Sequence, residues 1–331
     1  MKIIVTGSAG YIGGTFCHKL LSAGYEVIGL DSYVNSDEKV TNFLLNNFES
    51  YTFHQIDIAK EEIPLDDILS EHKGSIDCVV HFAALKAVAE SEIQPIKYWE
   101  NNTLSTLNLI KTMRNNKIKK LIFSSSATVY GNNDNQPLNE TEALSPISCY
   151  GSTKIASEFL INDVAKTGDI DAVMLRYFNP VGTHNENIIY DDPYASPNNI
   201  MPRLIRVALG VDDQMYIWGN DYPTSDGTGA RDYIHIDDLV EGHISAMNFI
   251  KTFSGSMTIN LGTGNSITVL ELIEKFKLVN NVEIPLSYEK RRDGDVAECY
   301  ADPTKAKDIL KWKAKKSLEE MCKSSWKPFI K

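Results

Sequence analysis

The sequence predicts an α/β protein: a doubly wound parallel sheet of the Rossmann type, followed by a smaller, intermittent C-terminal substrate domain. Three observations predict it. The first 31 residues read strand, glycine turn, helix, strand, acid. The stretch to residue 177 keeps alternating short apolar runs with helical patterns, the signature of βαβ units. From Asn179 the alternation gives way to prolines and short elements.

Lys2-Ile3-Ile4-Val5-Thr6 is short, apolar and β-branched, which suits a buried strand ending at Gly7. Gly7-Ser8-Ala9-Gly10-Tyr11-Ile12-Gly13 opens a helix with apolar positions Phe16, Leu20 and Leu21, closed by Gly24. Residues 25–30 form a second strand with Asp31 at its end. A dinucleotide site asks for this order. Glycines let the backbone turn tightly against a pyrophosphate. The helix N-terminus points N–H groups and partial positive charge at the phosphates. Asp31 can accept from ribose hydroxyls and would repel a 2′-phosphate, so NAD is expected rather than NADP. The spacing is G-x-x-G-x-x-G, so the strand context and Asp31 carry the assignment. An ordinary βα turn would leave Asp31 unexplained.

The loop 32–36 follows, then a helix to about residue 47 and a third strand over 51–56. That strand ends in Asp57-Ile58, where a carboxylate can meet an adenine amino group or simply close a turn. A helix over 63–73 leads to a fourth strand, 76–81, closed by Phe82-Ala83-Ala84. Small residues there leave room at a strand end, where ligands collect in open α/β sheets. A long helix over 95–116 has dense apolar positions at Leu104, Leu107, Leu109, Ile110 and Met113. A fifth strand over 120–123 runs into Ser124-Ser125-Ser126. A helix over 148–165 and a sixth strand over 172–176 complete an NAD-binding domain over 1–178. Residues 179–331 are expected to be mainly a second, substrate-binding domain, with segments around 231–262 returning to the first. Within it, Pro180, Pro193, Pro197 and Pro202 mark loops. A helix near 203–209, a strand at 214–218 and a turn-rich stretch over 219–229 follow; strands at 233–235 and 258–261 are expected to rejoin the main sheet.

Composition narrows the class. A chain of 331 residues suggests about two domains. Its 43% hydrophobic and 23% charged residues are ordinary for a globular protein. A net charge of −11 without a prominent basic block argues against nucleic acid or an anionic membrane as partner. No apolar stretch approaches a membrane span, and the N-terminal run is too short for a signal peptide. Five scattered cysteines with no C-x-x-C suggest reduced thiols in a cytoplasm. The seven histidines lack ligand spacing, so no metal is expected; His81 and His235 read as core residues.

Tyr150 and Lys154 stand four apart at the start of a helix and so share a face. A phenol of pKa near ~10 is a poor base at neutral pH. A neighbouring ammonium and an oxidised nicotinamide ring both favour the phenolate, making Tyr150 a usable proton acceptor. Ser126, ending the preceding strand, can hydrogen-bond the same substrate oxygen.

At these residues the chain resembles the extended short-chain dehydrogenase/reductases, and within them the UDP-sugar 4-epimerases. The resemblance spans nearly the whole length. It is most specific over 5–13, 81–88, 123–131, Tyr150-Gly151-Ser152-Thr153-Lys154, 175–182, 219–229 and 231–235. It implies bound NAD, a catalytic set of Tyr150, Lys154 and Ser126, and interconversion of UDP-glucose and UDP-galactose through a 4-keto sugar. Around the cofactor it implies Gly7, Gly10, Tyr11, Ile12, Gly13, Asp31, Asn35, Ser36, Asp57, Ile58, Phe82, Ala83, Ala84, Lys86, Asn101, Ser124, Tyr177 and Phe178, together with Tyr150 and Lys154. Around the UDP-sugar it implies Asn179, Asn199, Tyr216, Trp218, Arg231, Tyr233, Arg292, Asp295 and Cys299, together with Ser126 and Tyr150. Arg231 and Arg292 suit a pyrophosphate as guanidinium forks. Ala84 departs from a frequent Gly. Cys299 departs from a bulkier residue at the wall beside the sugar, so N-acetylated UDP-sugars are expected to fit as well. A homodimer through the 95–116 and 148–165 helices is also implied, with Leu104, Met113 and Phe159 at the seam. Two other readings share the fold: a nucleotide-sugar 4,6-dehydratase, which needs an acidic pair beside Ser126, and a non-catalytic NAD sensor, which would have lost Tyr150 or Lys154.

Overall fold

The computed structural model describes residues 1–184, 188–194, 199–292 and 294–330. Pro197 and Asp293 lie outside these. The elements run β1 (Lys2–Thr6), α1 (Tyr11–Ser22), β2 (Glu26–Asp31), α2 (Glu38–Asn47), β3 (Tyr51–Gln55), α3 (Glu62–Glu71), β4 (Ile76–His81) and α4 (Val88–Ile93). Then come α5 (Pro95–Tyr98), a π-helical turn (Trp99–Thr103), α6 (Leu104–Asn115), β5 (Lys120–Ser126), a 3₁₀ turn (Ala127–Tyr130), α7 (Cys149–Lys166) and β6 (Asp171–Tyr177). The later elements are β7 (Asn179–Val181), α8 (Ile200–Ala208), β8 (Met215–Trp218), β9 (Ala230–Arg231), β10 (Tyr233–His235) and α9 (Ile236–Phe249). The chain finishes with β11 (Ser256–Leu261), β12 (Ile267–Thr268), α10 (Val269–Asn280), β13 (Leu286–Glu289), β14 (Glu298–Cys299) and α11 (Leu318–Trp326).

Contacts divide the chain into two units. The first holds 1–131, 144–176 and 243–259; the second holds 132–143, 177–242 and 260–331. The first unit carries the seven-stranded parallel sheet of a Rossmann-type fold, in the order β11-β6-β5-β4-β1-β2-β3. Strand order reverses between β1 and β4, whose carboxyl ends are Thr6 and His81 in register. The core is apolar: Ile4, Val79, Leu121 and Phe123 from strands meet Leu109, Ile110 and Met113 from α6 and Ile161 from α7. Burial accounts for Leu109, Ile110 and Met113 of the dense apolar pattern of α6, whereas Leu104 is exposed. It also corrects one expectation: Met113 is fully buried in this core and is not available at a dimer seam. The long helix expected over 95–116 is broken into α5, the π turn and α6, and the short α4 precedes it.

The second unit has its own core, in which α8, α10 and α11 contribute Leu204, Phe276 and Trp326 around Ile217 and Tyr233. Its strands form small separate sheets. β10 pairs in parallel with β7, Tyr233 opposite Asn179, so the expected return of 233–235 to the main sheet does not occur. Only β11 does so, at the sheet edge. Segment 132–143 leaves the first unit's chain path and fixes 298–302: Leu138 N donates to Tyr300 O at 2.9 Å, and Asp302 N to Leu138 O at 2.8 Å.

Candidate active site

In the first unit the glycine turn lies at the point where strand order reverses. Gly7 has φ +71°, and a Cβ there would sit 2.8 Å from Ala83 N. A Cβ on Gly13 would sit 2.1 Å from Gly7 O. Backbone therefore packs on backbone, and the α1 N-terminus, capped by no side chain, opens beside the loop. That is a cradle shaped for a phosphate group. Asp31 braces it: Oδ2 accepts from Ala9 N at 3.0 Å, and Oδ1 from Tyr33 N and Ser36 Oγ, each at 2.9 Å. Three hydrogen bonds leave this carboxylate acceptor capacity for a ribose hydroxyl. Tyr11, Ile12, Asn35, Ser36, Phe82, Ala83 and Ala84 lie in or beside this loop and strand-end region, and Lys86 is exposed. Asp57 makes a local turn, accepting from Ala59 N at 3.1 Å and pairing with Lys60 at 2.9 Å. Ile58 is buried. His81 is a satisfied core residue, with Nδ1 2.7 Å from Thr6 Oγ1 and burial pushing its pKa down to about 3.

Ser148 caps α7 by accepting from Gly151 N, which sets the helix so that Tyr150 and Lys154 project together. Lys154 Nζ donates to Ser124 O at 2.7 Å and lies 5.8 Å from the Tyr150 ring centre. Ser126 Oγ accepts from Thr128 N at 3.2 Å and Thr128 Oγ1 at 2.9 Å. Its own proton is thereby directed to Tyr150, with which it hydrogen-bonds. Burial lowers Lys154 to about 7, with Glu158 opposing. Burial raises Tyr150 to about 12, with Ser126 opposing. Burial thus opposes the phenolate that Lys154 is expected to favour. Asn101 lies in the π turn. The residue after it was not singled out in the sequence: buried Asn102 accepts from Leu85 N at 2.8 Å and donates to Thr153 Oγ1 at 3.1 Å. It ties the loop before Lys86 to the residue before Lys154, and nothing local marks it.

The second unit gathers another set. Arg231 Nη1 donates to Ala230 O at 2.8 Å and Val296 O at 2.9 Å, and its Nη2 is 4.0 Å from Asp295. Arg292 Nε donates to Asp295 at 2.8 Å, and its guanidinium lies 5.6 Å from the Trp218 ring. Tyr216 stands beside Trp218, ring centres 6.3 Å apart. Cys299 is paired with Arg231 in register, and burial pushes its thiol up to about 11. Asn199 donates to Asp191 at 2.8 Å. Asn179 is exposed, Tyr177 half-buried and Phe178 buried. Tyr233 is a core residue of this unit, 2% exposed. The sequence reading did not single out Asp232. Fully buried, it accepts from Thr263 N, Gly264 N and Ala301 N at 2.9–3.2 Å. No cluster of metal ligands occurs among the described residues.

A sheet that reverses at a glycine cradle, with a Ser, Tyr and Lys set beyond its fifth strand, defines a Rossmann-type enzyme of the short-chain dehydrogenase/reductase kind. The family model described as GDP-mannose 4,6 dehydratase matches residues 4–325. UDP-glucose 4-epimerase of Bacillus subtilis is 44% identical over 329 residues, covering 99% of this chain and 96% of its own. The Stenotrophomonas maltophila UDP-glucose 4-epimerase structure, with bound NAD and formylated UDP-arabinopyranose, is 42% identical with a TM-score of 0.94, covering 99% of this chain and 97% of its own. That of Bifidobacterium longum, with NAD+ and UDP, is 39% identical with a TM-score of 0.91, covering 98% and 97%. The chain belongs to the UDP-glucose 4-epimerase family.

The 2.1 Å approach at Gly13 makes the cradle intolerant of a side chain. Gly13→Ala is expected to abolish retention of a nicotinamide dinucleotide, measured as cofactor released on denaturing the purified protein. Retention at the wild-type level would contradict the cradle.

Proposed function

We propose that the protein interconverts UDP-glucose and UDP-galactose by NAD-dependent 4-epimerisation through a 4-keto sugar. The observation that carries the reading is Tyr150, hydrogen-bonded by Ser126 and backed by Lys154, in the unit whose glycine cradle suits a dinucleotide. When bound, NAD supplies the acceptor that takes the C4 hydride and gives it back, and its oxidised ring adds the positive charge that favours a phenolate. Tyr150 accepts the 4-hydroxyl proton as C4 becomes a ketone, and returns it when C4 is reduced from the opposite face. Ser126 donates to the same oxygen. Arg231 and Arg292 hold the diphosphate, with Asp295 orienting both guanidiniums; Tyr216 and Trp218 offer planar faces to the base. Asn179 and Asn199 supply further polar contacts to the nucleotide-sugar. Among the dinucleotide contacts, Asp31 and Ser36 serve the adenosine ribose.

The 4,6-dehydratase reading lacks its acidic pair: Ser126 is flanked by Ser125, Ala127 and Thr128, and Thr128 is spent on Ser126. The sensor reading leaves Tyr150 and Lys154 without a purpose. A homodimer is part of the proposal. Ile93, Ile96, Trp99, Leu104, Ile147 and Phe159 are exposed on or beside α4 to α7, which pack together. Exposed apolar side chains gathered on one helical layer suit a partner surface. All five cysteines are unpaired, and no described helix is long and apolar enough to cross a membrane. Both agree with a cytoplasmic setting.

Three outcomes are expected. Tyr150→Phe loses at least ~100-fold in turnover of UDP-galactose while retaining cofactor, since only the proton-transfer hydroxyl goes; near-wild-type turnover would exclude the mechanism. Wild type accepts UDP-N-acetylgalactosamine as well as UDP-galactose, and Cys299→Tyr loses chiefly the N-acetylated sugar, by at least about tenfold, because overpacking a pocket costs ~1–3 kcal/mol. A wild type that ignores the N-acetylated sugar removes Cys299 as the gate. Light scattering should give twice the 37.0 kDa chain mass at micromolar concentration; a monomer would remove the dimer.

A further inference from the structure

One buried ionic group has no part in the chemistry above. Glu158 on α7 and Arg176 on β6 are 2% and 3% exposed. Glu158 Oε1 accepts from Ser125 Oγ at 2.5 Å and Arg176 Nε at 2.9 Å; Oε2 accepts from Arg176 Nη2 at 2.6 Å. Arg176 Nη1 donates to Tyr130 OH at 3.1 Å, and its guanidinium lies 4.9 Å from the Tyr130 ring centre. Buried pairs of this kind rarely add net stability, since desolvation offsets the attraction. Its placement suggests another reason for it. Glu158 stands one helical turn beyond Lys154, as Lys154 stands one turn beyond Tyr150. Ser125 lies between Ser124, whose carbonyl holds Lys154 Nζ, and Ser126, which holds Tyr150. Tyr130 ends the 3₁₀ turn that follows Ser126.

We propose that Glu158 is a positioning residue for the epimerase reaction: it fixes the Ser124–Ser126 strand tip through Ser125 and places a negative charge one helical turn from Lys154. The inference rests on the epimerase reading above. The groups facing Lys154 are Tyr150 and Glu158 from α7, His81 from β4 and the Phe123 ring, 5.0 Å away; Arg176 from β6 is paired with Glu158 and bonded to Tyr130. His81 stays neutral, because burial and Lys154 both oppose its proton. Tyr130 accepts from Arg176. Among the described residues Glu158 is the carboxylate of this group, ion-paired with Arg176.

Removing an anion makes the loss of neighbouring protons easier, from phenol and ammonium alike. Glu158→Gln keeps the shape and the Ser125 contact but not the charge. It is expected to retain cofactor and the wild-type KM for UDP-galactose, to lose about tenfold in kcat at neutral pH, and to move both limbs of the kcat–pH profile to lower pH by on the order of one unit. Glu158→Gln with Arg176→Met removes both charges; its limbs should move in the same direction by less than half as much, since no uncompensated cation remains. If the single variant does not fold, the displacement in the double variant decides. Limbs that coincide with wild type overturn the proposal, as does a change in KM or cofactor content with no limb displaced. Should wild type fail to epimerise at all, the functional reading falls. Glu158 is then judged by absorbance titration of Tyr150, wild type minus Tyr150→Phe: an unshifted phenol in the Glu158 variants overturns the proposal, and one shifted to lower pH supports it.

Discussion

The approach of backbone to backbone at Gly7 and Gly13 is the constraint on which the first unit depends. Gly7 meets the start of the loop after β4, and Gly13 meets the Gly7 carbonyl. Neither contact leaves room for a β-carbon. The two contacts seat α1 against the turn and hold the ends of β1 and β4 together, where Thr6 Oγ1 also receives Ala83 N at 3.2 Å. Asp31 joins β2 to the same loop through Ala9. Three strand ends and one helix N-terminus are thus fixed around a single opening, which gives the site its rigidity without any metal ligand cluster among the described residues.

Desolvation sets the proton chemistry on the other side of the sheet order. It pushes Tyr150 up and Lys154 down, which draws apart two values that lie close together in water and favours the neutral form of each. Hydrogen bonds from Thr128 to Ser126 and from Lys154 to the Ser124 carbonyl then determine which proton points where. Tyr150, Lys154 and Ser126 are thus aligned with one another, with burial favouring the neutral phenol. An added positive charge near the phenol would favour the phenolate.

In the second unit a buried carboxylate does comparable work. Asp232 receives three backbone N–H groups and the Thr263 hydroxyl, at 2.6–3.2 Å. Each charge-assisted bond of this kind contributes on the order of 1.5–3 kcal/mol. Together they bind the loop after β11 to the end of β14, and so fix Arg231 and Cys299, which flank Asp232 on paired strands. The pattern Arg-Asp-Tyr-Ile-His therefore combines a guanidinium that donates to backbone carbonyls, an internal anchor and a core ring in consecutive residues.

The sequence by itself determined whatever depends on neighbours along the chain. The strand, glycine turn, helix and Asp31 are consecutive, and each residue type is required by local geometry. Tyr150 and Lys154 share a face because an α-helix repeats every 3.6 residues. Strand ends and the Ser-tipped β5 were legible for the same reason. Only the tertiary structure decided contacts between residues far apart in sequence. It sent β10 to pair with β7, buried Met113, broke the long helix at a π turn, and joined Asn102 to Thr153 and Asp232 to Ala301. It also brought Glu158 and Arg176, unremarkable charges 18 residues apart, into one buried pair behind Lys154. Burial is a property of the assembled core, and no local pattern records which polar groups it will enclose.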